Sequence, residues 1–339
     1  MKSTIFKWLS LLLTITAFVA VATAWWLDQP LKNSDTVVID IPRGATLNGL
    51  APQWQDAGWL PSANALKLAV RLNPEASELH PGEYQLPSGL TTSGLLTFLA
   101  TAKPLNYKLT LIEGRPLRDA LKVLSQAEHL QQDLGELTPE RIQSVLELTA
   151  FPEGQLYPDT YIYRRNEPVS SIIKQAHERL NLVLQEEWAS RAENLPYNSP
   201  AEALIMASIV EKETGAAHER AEIAGVFVRR LQKGMRLETD PTVMYGLGAD
   251  FDGNLRRTHL RDDTNIYNTY RNTGLPPTPI ALAGRAAIHA ALQPKKGDTL
   301  FFVARGDGTH QFSVTLSEHN RAVQKYQLQR RKDYRSAPQ

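Results

Sequence analysis

The residues best suited to acid–base chemistry are two glutamates at the end of an apolar stretch that runs from Ala203 to Gly215. The spacing predicts a helix, and Glu213 lies three, four and seven residues after apolar side chains on one face. Partial burial disfavours a charged carboxyl and raises its pKa, as a general acid near neutral pH requires. Glu211 shares another partly apolar face, so the spacing favours Glu213 only slightly. A solvated last helical turn is the alternative, because Glu and Lys are good helix formers.

Three further segments combine aromatic rings with carboxylates or amides. They contain Glu153 and Tyr157, Asp240 and Tyr245, and Asn268 and Tyr270. A sugar offers an apolar C–H face and a rim of hydroxyls, so such segments suit sugar binding. Each is also compatible with a packed loop. Asp240 precedes a proline, so an Asx turn or helix cap is the alternative to a hydrogen bond that orients Glu213 or a sugar hydroxyl.

The composition limits other kinds of chemistry. The chain of 339 residues has no cysteine, which excludes disulfides, thiolate metal ligands and a cysteine nucleophile. Its eight histidines include no His-x-x-x-His pair, so no metal site is predicted. A net charge of +1 without a basic block argues against nucleic acid as a partner.

The N-terminal segment is long and apolar enough to span a membrane. Residues 8–27 carry no charge, and about 20 helical residues cross a hydrocarbon core. Lys2 and Lys7 precede this segment, which predicts that residues 1–7 are cytoplasmic and that the rest of the chain lies outside.

A cleaved signal peptide is the alternative to this anchor. Residues 22–24 have the Ala-x-Ala form of a cleavage site, but the apolar run continues past them, which favours an anchor. Both interpretations export the remaining chain. Residues 28–35 are polar and predict a short linker.

The remaining sequence predicts an α+β fold with more than one domain, because 42% hydrophobic residues suffice for a core. Residues 36–42 predict a strand, followed by Gly44 and a helix that Pro52 is expected to kink or interrupt. The same strand–glycine–helix pattern recurs around Gly114, which suggests an internal repeat. The first unit resembles a LysM-like module, a small fold often used to hold glycan chains.

Other elements follow from apolar spacing and turn residues. We expect helices over 62–72, 138–148, 168–190, 199–232 and 281–292, a hairpin of 300–304 with 310–314, and a last helix from Ser317.

Four segments together resemble the YceG-like endolytic murein transglycosylase family. They are Glu153-Gly with Tyr157-Pro-Asp-Thr160, Met206 to Thr214, Gly234 to Thr242 with Tyr245-Gly246, and Tyr267 to Tyr270 with Thr273 to Pro277. Their order and gaps make the resemblance specific, and it covers nearly the whole chain. It implies an anchor at 8–27, a LysM-like module at 36–104, a second βα unit at 105–150, a catalytic domain at 151–330 and a tail at 331–339.

The resemblance also implies a reaction. A lytic transglycosylase cuts the β-1,4 bond between N-acetylmuramic acid and N-acetylglucosamine without water, and one carboxyl acts first as acid and then as base. The resemblance places this acid at Glu213, gives Glu211 and Asp240 supporting roles, and assigns substrate contacts to the other aromatic and polar residues. These are Glu153, Tyr157, Tyr245, Asn268 and Tyr270.

No cofactor is implied, because proton transfer and ring closure need none. The implied partners are glycan strands, the membrane and the peptidoglycan synthases, with the catalytic body in the periplasm on the inner membrane. A hydrolytic muramidase, with Asp240 or Glu153 as second acid, and a non-catalytic glycan-binding or division scaffold are the alternatives.

Overall fold

A computed structural model describes residues 2–77 and 79–328 of the chain. The predicted tail at 331–339 lies outside the described residues. The chain divides into two compact units. The N-terminal unit comprises Met1–Tyr107 with Tyr163–Asn166, and the C-terminal unit comprises Lys108–Ile162 with Glu167–Gln339.

The N-terminal unit has four helices and an antiparallel strand pair among its described residues. Its elements are α1 (Lys2–Leu27), β1 (Val37–Ile41), α2 (Leu47–Asp56), α3 (Ala63–Leu72), β2 (Gly82–Leu86) and α4 (Thr92–Thr101). Strands β1 and β2 pair in a register that runs from Val37 opposite Leu86 to Ile41 opposite Gly82. The inward side chains of this pair join α2, α3 and α4 in one hydrophobic core.

Helix α1 contains the predicted membrane segment. Its stretch Phe6–Leu27 is long and apolar enough to cross a membrane, and its large apolar side chains are exposed. Helix α2 begins after the N-cap Thr46, whose side chain accepts a hydrogen bond from Gly49 N. Pro52 lies inside α2, and the helix continues past it to Asp56, so the expected interruption does not occur.

The elements that follow α4 include the longest helices outside α1. They are β3 (Tyr107–Thr110), α5 (Leu117–Ser125), β4 (Leu130–Gln131), α6 (Pro139–Val145), β5 (Thr160–Tyr163), β6 (Glu167–Pro168), α7 (Val169–Ala189), α8 (Pro200–Glu213), α9 (Arg220–Gln232), α10 (Asp240–Leu247), α11 (Arg257–Arg261), α12 (Arg285–Leu292), β7 (Phe301–Ala304), β8 (His310–Ser313) and α13 (Leu316–Val323). Strand β3 pairs with β5, β4 lies parallel to β6, and β7 and β8 form an antiparallel hairpin.

Helix α8 lies at the centre of the C-terminal unit. It packs against α7, α9, α10 and α12, and its middle residues are buried. Its side chains Leu204, Met206, Ile209 and Val210 belong to the hydrophobic core of this unit. Charged residues appear only in the first turn and in the last, so the apolar spacing correctly predicts a helix that ends with acids at the edge of a core.

Several predicted helices have different limits in the structure, and the one predicted over 138–148 ends already at Val145. The predicted helix at 199–232 is two helices, because Thr214 is extended and a short 3-10 turn precedes α9. Helix α12 begins at Arg285 instead of Ala281, after an extended Gly284. Helix α13 is capped by Thr315 instead of Ser317, because Thr315 and Glu318 form a capping box. The predicted mixture of helices and strands with an N-terminal apolar helix is confirmed.

Candidate active site

Glu213 is the last residue of α8 and faces an open cleft. The helix stops there because the next residue, Thr214, has an extended backbone. The Thr239 hydroxyl donates a hydrogen bond to Glu213 Oε1. Burial raises the pKa of Glu213 to about 7, although the Thr239 hydrogen bond opposes this rise and the negative charge of Asp240 adds to it. A carboxyl group with this pKa is about half protonated at neutral pH, whereas one with the ordinary pKa would be almost fully ionised.

The cleft beside Glu213 has a volume of about 860 Å³ and a mixed polar and apolar lining. Glu213, Asp240, Tyr245 and Tyr270 are among the side chains that line it, and all of them belong to the C-terminal unit. A cleft of this size accommodates a few sugar rings, and its lining offers both ring faces and hydrogen-bonding groups.

Thr239 is held by two other buried threonines. Its amide N–H donates to Thr269 Oγ1 at 3.1 Å, and its carbonyl accepts from Thr242 Oγ1 at 2.8 Å. Thr242 and Thr269 also share a hydrogen bond of 2.9 Å. Thr239 is the N-cap of α10, but its hydroxyl makes no cap hydrogen bond. The hydroxyl serves Glu213 instead, and the threonine cluster fixes the direction from which it donates.

This role of Thr239 is not evident from the sequence. In the sequence Thr239 directly precedes Asp240-Pro241, which predicts the start of a helix. A threonine at such a position is ordinarily interpreted as a helix cap, so the sequence gives no indication of a contact with Glu213. Only the fold brings it to Glu213, which lies 26 residues earlier in the chain.

Glu211 has different partners on the other side of the same helical turn. Its Oε2 accepts from Gly284 N at 3.1 Å, and its Oε1 forms an ion pair with Arg220 at 3.3 Å. Burial raises the pKa of Glu211, while Gly284 and Arg220 act in the opposite direction. Both carboxylate oxygens are therefore occupied in tying α8 to the start of α9 and of α12.

Two tyrosines on the cleft wall are oriented by carboxylates. The Tyr270 hydroxyl donates to Asp240 Oδ1 at 2.7 Å, and the Tyr245 hydroxyl donates to Glu153 Oε2 at 2.9 Å. Burial and the neighbouring carboxylates raise the pKa of both tyrosines. Both rings therefore stay neutral and keep fixed positions in the wall.

Glu153 lies behind Tyr245, where it is buried. Its Oε1 accepts from Leu117 N at 2.8 Å, at the start of α5, and from Gly154 N at 3.2 Å. Burial raises its pKa, and these donors oppose the rise. With three donors around it, Glu153 supports Tyr245 and the first turn of α5, and it does not offer its carboxylate to the cleft.

Two residues that were expected to contact substrate are part of the packed interior. Asn268 is fully buried, and its amide group donates to the carbonyls of His259, Leu260 and Asp262. Its carbonyl accepts from Tyr270 N at 3.0 Å, so it shapes the loop that carries Tyr270. Tyr157 belongs to the hydrophobic core. Tyr157 and Asn268 therefore fit the packed-loop interpretation and not the expected contact with substrate.

No metal cluster is formed in the described ranges 2–77 and 79–328. There, no group of three or more His, Cys, Asp or Glu side chains is placed to hold an ion.

The sequence matches one protein family over most of its length. The sequence model of the YceG-like family matches residues 39–325. The chain belongs to the YceG-like family. This match confirms the family that the four segments predicted, and it includes α8, the cleft and both βα units.

Named relatives in this family share up to a third of their residues with the chain. It is 33% identical to an endolytic murein transglycosylase of Bacillus subtilis (strain 168) over 323 residues, which cover 88% of each chain. It is 26% identical over 324 residues to an endolytic murein transglycosylase of Streptococcus pneumoniae serotype 2, which cover 85% of this chain and 58% of that relative.

A crystal structure of a yceG-like protein from Listeria monocytogenes has a similar fold. The two structures superpose with a TM-score of 0.55 at 28% sequence identity, and the match covers 85% of this chain and 99% of the other.

Proposed function

We propose that this YceG-like protein is a membrane-anchored lytic transglycosylase of peptidoglycan. It cleaves the β-1,4 bond between N-acetylmuramic acid and N-acetylglucosamine and leaves a 1,6-anhydro-muramyl end. The observation that carries the proposal is Glu213, a carboxyl with a pKa of about 7 that faces an open cleft. The names of the relatives, endolytic murein transglycosylase, support this substrate and reaction.

In the first step Glu213 acts as a general acid. The Thr239 hydroxyl occupies Oε1, which leaves Oε2 to carry the proton toward the cleft. This proton passes to O4 of N-acetylglucosamine as the bond from O4 to C1 of the muramyl sugar breaks. Positive charge then develops at C1, and Glu213 becomes a carboxylate beside it.

In the second step the same carboxylate acts as a base. It removes the proton from the muramyl 6-hydroxyl, and O6 forms a bond to C1. The product is the 1,6-anhydro ring, and Glu213 regains its proton for the next cycle. No water enters the bond change, and one carboxyl suffices because the substrate supplies its own nucleophile.

Asp240 and Tyr270 have a supporting role in this proposal. Asp240 is exposed at the cleft, is held by the Tyr270 hydroxyl and lies near enough to raise the pKa of Glu213. We assign to this pair the orientation of a sugar hydroxyl, and to the ring of Tyr245 contact with a sugar face.

A hydrolytic muramidase is the second candidate for this site. It requires another carboxylate or an ordered water on the opposite face of the sugar. Asp240 is the available group, because it is exposed at the cleft beside Glu213. Glu153 is buried with three donors and is not suited to that role.

The N-terminal unit is proposed to hold the enzyme at its substrate. Helix α1 anchors the chain in the inner membrane, and the small β1–α2–α3–β2 arrangement acts as the LysM-like glycan-binding module in the periplasm. An anchored enzyme of this kind meets newly made strands, so we propose that it ends their elongation beside the synthases. A non-catalytic scaffold is the alternative, and it predicts that loss of the Glu213 acid leaves the cellular function intact.

Mass spectrometry of products from purified sacculi tests the proposal. Full-length wild type is expected to release anhydro-muramyl ends, which disappear in Glu213→Gln and persist in the matched neighbour Glu211→Gln. Reducing ends from the wild type would instead establish hydrolysis. Undiminished activity of Glu213→Gln would move the acid elsewhere.

A further inference from the structure

Two exposed cations line the cleft beside the general acid, and a third, Arg230, is buried there and paired with Glu238 at 3.1 Å. Arg118 and Lys212 are part of its lining, as are Glu213 and Tyr245. Arg118 is exposed in the first turn of α5, and Lys212 lies in the last turn of α8. No step of the proposed reaction uses either cation.

The turn before α5 fixes these cations beside each other. Gly114 has a left-handed backbone (φ of 70°), and its carbonyl accepts from Lys212 Nζ at 3.1 Å. A Cβ atom at Gly114 would lie 3.8 Å from Glu211 Cγ and 3.9 Å from Lys212 Cδ, so the turn packs directly on the end of α8. Arg118 follows this turn by four residues and is therefore held at the same end of the cleft.

Three cations act on one another at this end of the cleft. Burial lowers the pKa of Lys212, and so do the nearby charges of Arg115 and Arg118, while the carboxylates of Asp119 and Glu211 oppose this. The acid facing these arginines is Asp119, at 3.8 Å from Arg115 and 4.0 Å from Arg118. Asp119 and Glu211 partly offset the three cations, and a ligand carboxylate beside Arg118 and Lys212 would reduce their repulsion further.

Two other acids near these cations are already engaged. Glu211 is paired with Arg220 and Gly284 N. Glu153, whose pKa the charge of Arg118 lowers, is buried with its own three donors. Arg118 and Lys212 are both exposed, so a ligand carboxylate can reach them in addition to Asp119 and the Gly114 carbonyl.

The first βα unit shows that the strand–glycine–helix arrangement itself does not require a cation at the position of Arg118. Gly44 and Gly114 occupy the same place in the two strand–glycine–helix units, and Leu47 and Leu117 are buried at the start of the following helix in each. The residue four positions after the glycine is Asn48 in the first unit and Arg118 in the second.

We propose that Arg118 and Lys212 form a subsite for a carboxylate carried on the lactyl ether of the muramyl sugar. N-acetylglucosamine has no such substituent, so the subsite distinguishes the two sugars that alternate along the strand. It thereby sets the register that brings the muramyl C1, and not the other anomeric carbon, to Glu213. This inference rests on the proposed function and names the group by which that site recognises its substrate.

The carboxylate has two sources with the same chemistry. It is the free lactyl group in strands without peptide, or a carboxylate of the stem peptide where one is attached. Three soluble strand preparations separate these sources: peptide-free strands, stem-bearing strands, and peptide-free strands whose lactyl groups have been converted to uncharged amides.

The test compares full-length Arg118→Gln and Lys212→Gln with wild type and with the surface control Lys174→Gln on all three preparations. We expect kcat/KM for the strands that carry the recognised carboxylate to fall about tenfold in each variant, because a hydrogen bond to a charged group is lost and a tenfold change corresponds to about 1.4 kcal/mol. Activity on the amidated strands is expected to stay near that of wild type. Arg118→Lys and Lys212→Arg keep the charge and should recover most of the loss.

A binding measurement separates this inference from the proposed reaction. Equilibrium binding of the same strands to Glu213→Gln, with and without Arg118→Gln, needs no turnover. A tenfold loss of affinity confined to strands that carry the carboxylate would support the subsite. If the wild type released no anhydro ends, the proposed function would be wrong, but this binding result would still support the subsite. Equal losses on charged and amidated strands, or no loss on either, would overturn the subsite.

Discussion

Glu211 and Glu213 leave the last turn of α8 on different sides and meet different surroundings. On the Glu211 side, the carboxylate pairs with Arg220 and accepts from Gly284 N. On the Glu213 side, the described residues supply one hydroxyl donor, Thr239, and the charge that shifts the pKa is the negative charge of Asp240. The two sides have the same residue type within two positions, but only one of them leaves a carboxyl free to exchange a proton.

This difference shows that the partners of a buried acid decide its role. A carboxylate with a cation and an amide donor is useful as a structural tie, because both lone-pair regions are occupied. A carboxyl with one neutral donor and a nearby negative charge is costly to ionise, and this cost is what makes it a proton donor near pH 7.

The largest expected effect is on the reaction itself. Glu213→Gln removes the proton that is transferred but keeps the acceptor for Thr239, so we expect the rate of anhydro-end formation to fall by about 10³-fold or more. Glu211→Gln is expected to retain activity within about tenfold in the folded fraction. Product release from sacculi measures both. A loss in folded Glu211→Gln that matches that of Glu213→Gln would remove the distinction between the two sides.

The same two substitutions are expected to change stability in opposite directions. Glu211→Gln leaves Arg220 without its carboxylate and should lower the free energy of unfolding of the C-terminal unit by about 1–3 kcal/mol. Glu213→Gln should raise it above pH 7, because the pKa of about 7 in the folded chain exceeds the ordinary 4.5. Below pH 4.5 Glu213 is protonated in both the folded and the unfolded chain, so its raised pKa does not change the free energy of unfolding. Between pH 4.5 and pH 7 the free energy of unfolding of the wild type falls, and above pH 7 this loss is about 3 kcal/mol.

Hydrogen exchange of the α8 amides at pH 5 and pH 8.5 measures this change in the unit concerned. The stabilisation by Glu213→Gln should be present at pH 8.5 and small at pH 5. Equal stabilities of wild type and Glu213→Gln at pH 8.5 would show that Glu213 is not held in an environment that disfavours its charge.

The sequence predicts where both acids lie but not which partners they have. Apolar spacing is sufficient to predict α8 and to place both acids where its buried stripe ends, since that pattern is local. It cannot reveal that Gly284, 73 residues later, donates to Glu211, or that Thr239 turns its hydroxyl away from its own helix. These contacts depend on tertiary packing.

The aromatic and polar segments show the same limit. Their composition is equally compatible with a sugar-binding surface and with a packed loop. Tyr245 and Tyr270 line the cleft, whereas Tyr157 and Asn268 are buried, and only the fold separates the two pairs. Both βα units, in contrast, are predictable from the sequence. Each has a strand and a glycine before its helix, α2 or α5, and both strand periodicity and a left-handed glycine are local properties.

The pH dependence of the rate sharpens the comparison on the Glu213 side. The acid must be protonated, so the rate should fall as pH rises through about 7. The Thr239 hydrogen bond lowers the pKa of Glu213, so Thr239→Val should move this fall in rate, the alkaline limb of the pH profile, to higher pH. The charge of Asp240 raises the pKa of Glu213, so Asp240→Asn should move the alkaline limb to lower pH. Each shift should be about one pH unit or less.

Rate profiles between pH 5 and pH 9 measure these shifts, with Glu211→Gln as the reference that leaves the limb in place. Shifts of the same sign in Thr239→Val and Asp240→Asn would contradict the assignment of the limb to Glu213.

The smallest expected effect concerns Glu153, a third buried carboxyl that resembles Glu211 in being surrounded by donors. In Glu153→Gln the amide oxygen still accepts from Leu117 N and Gly154 N, and its NH₂ group faces the Tyr245 hydroxyl, which then accepts. We expect the anhydro-forming rate to change by less than about threefold and the unfolding free energy by about 1 kcal/mol or less. Tyr245→Phe, which removes the same hydrogen bond from the other end, is the matched control. If Glu153→Gln instead stops the reaction in a folded protein while Tyr245→Phe does not, the charge of Glu153 takes part in the chemistry, and a buried acid with a full set of donors is no longer evidence of a structural role.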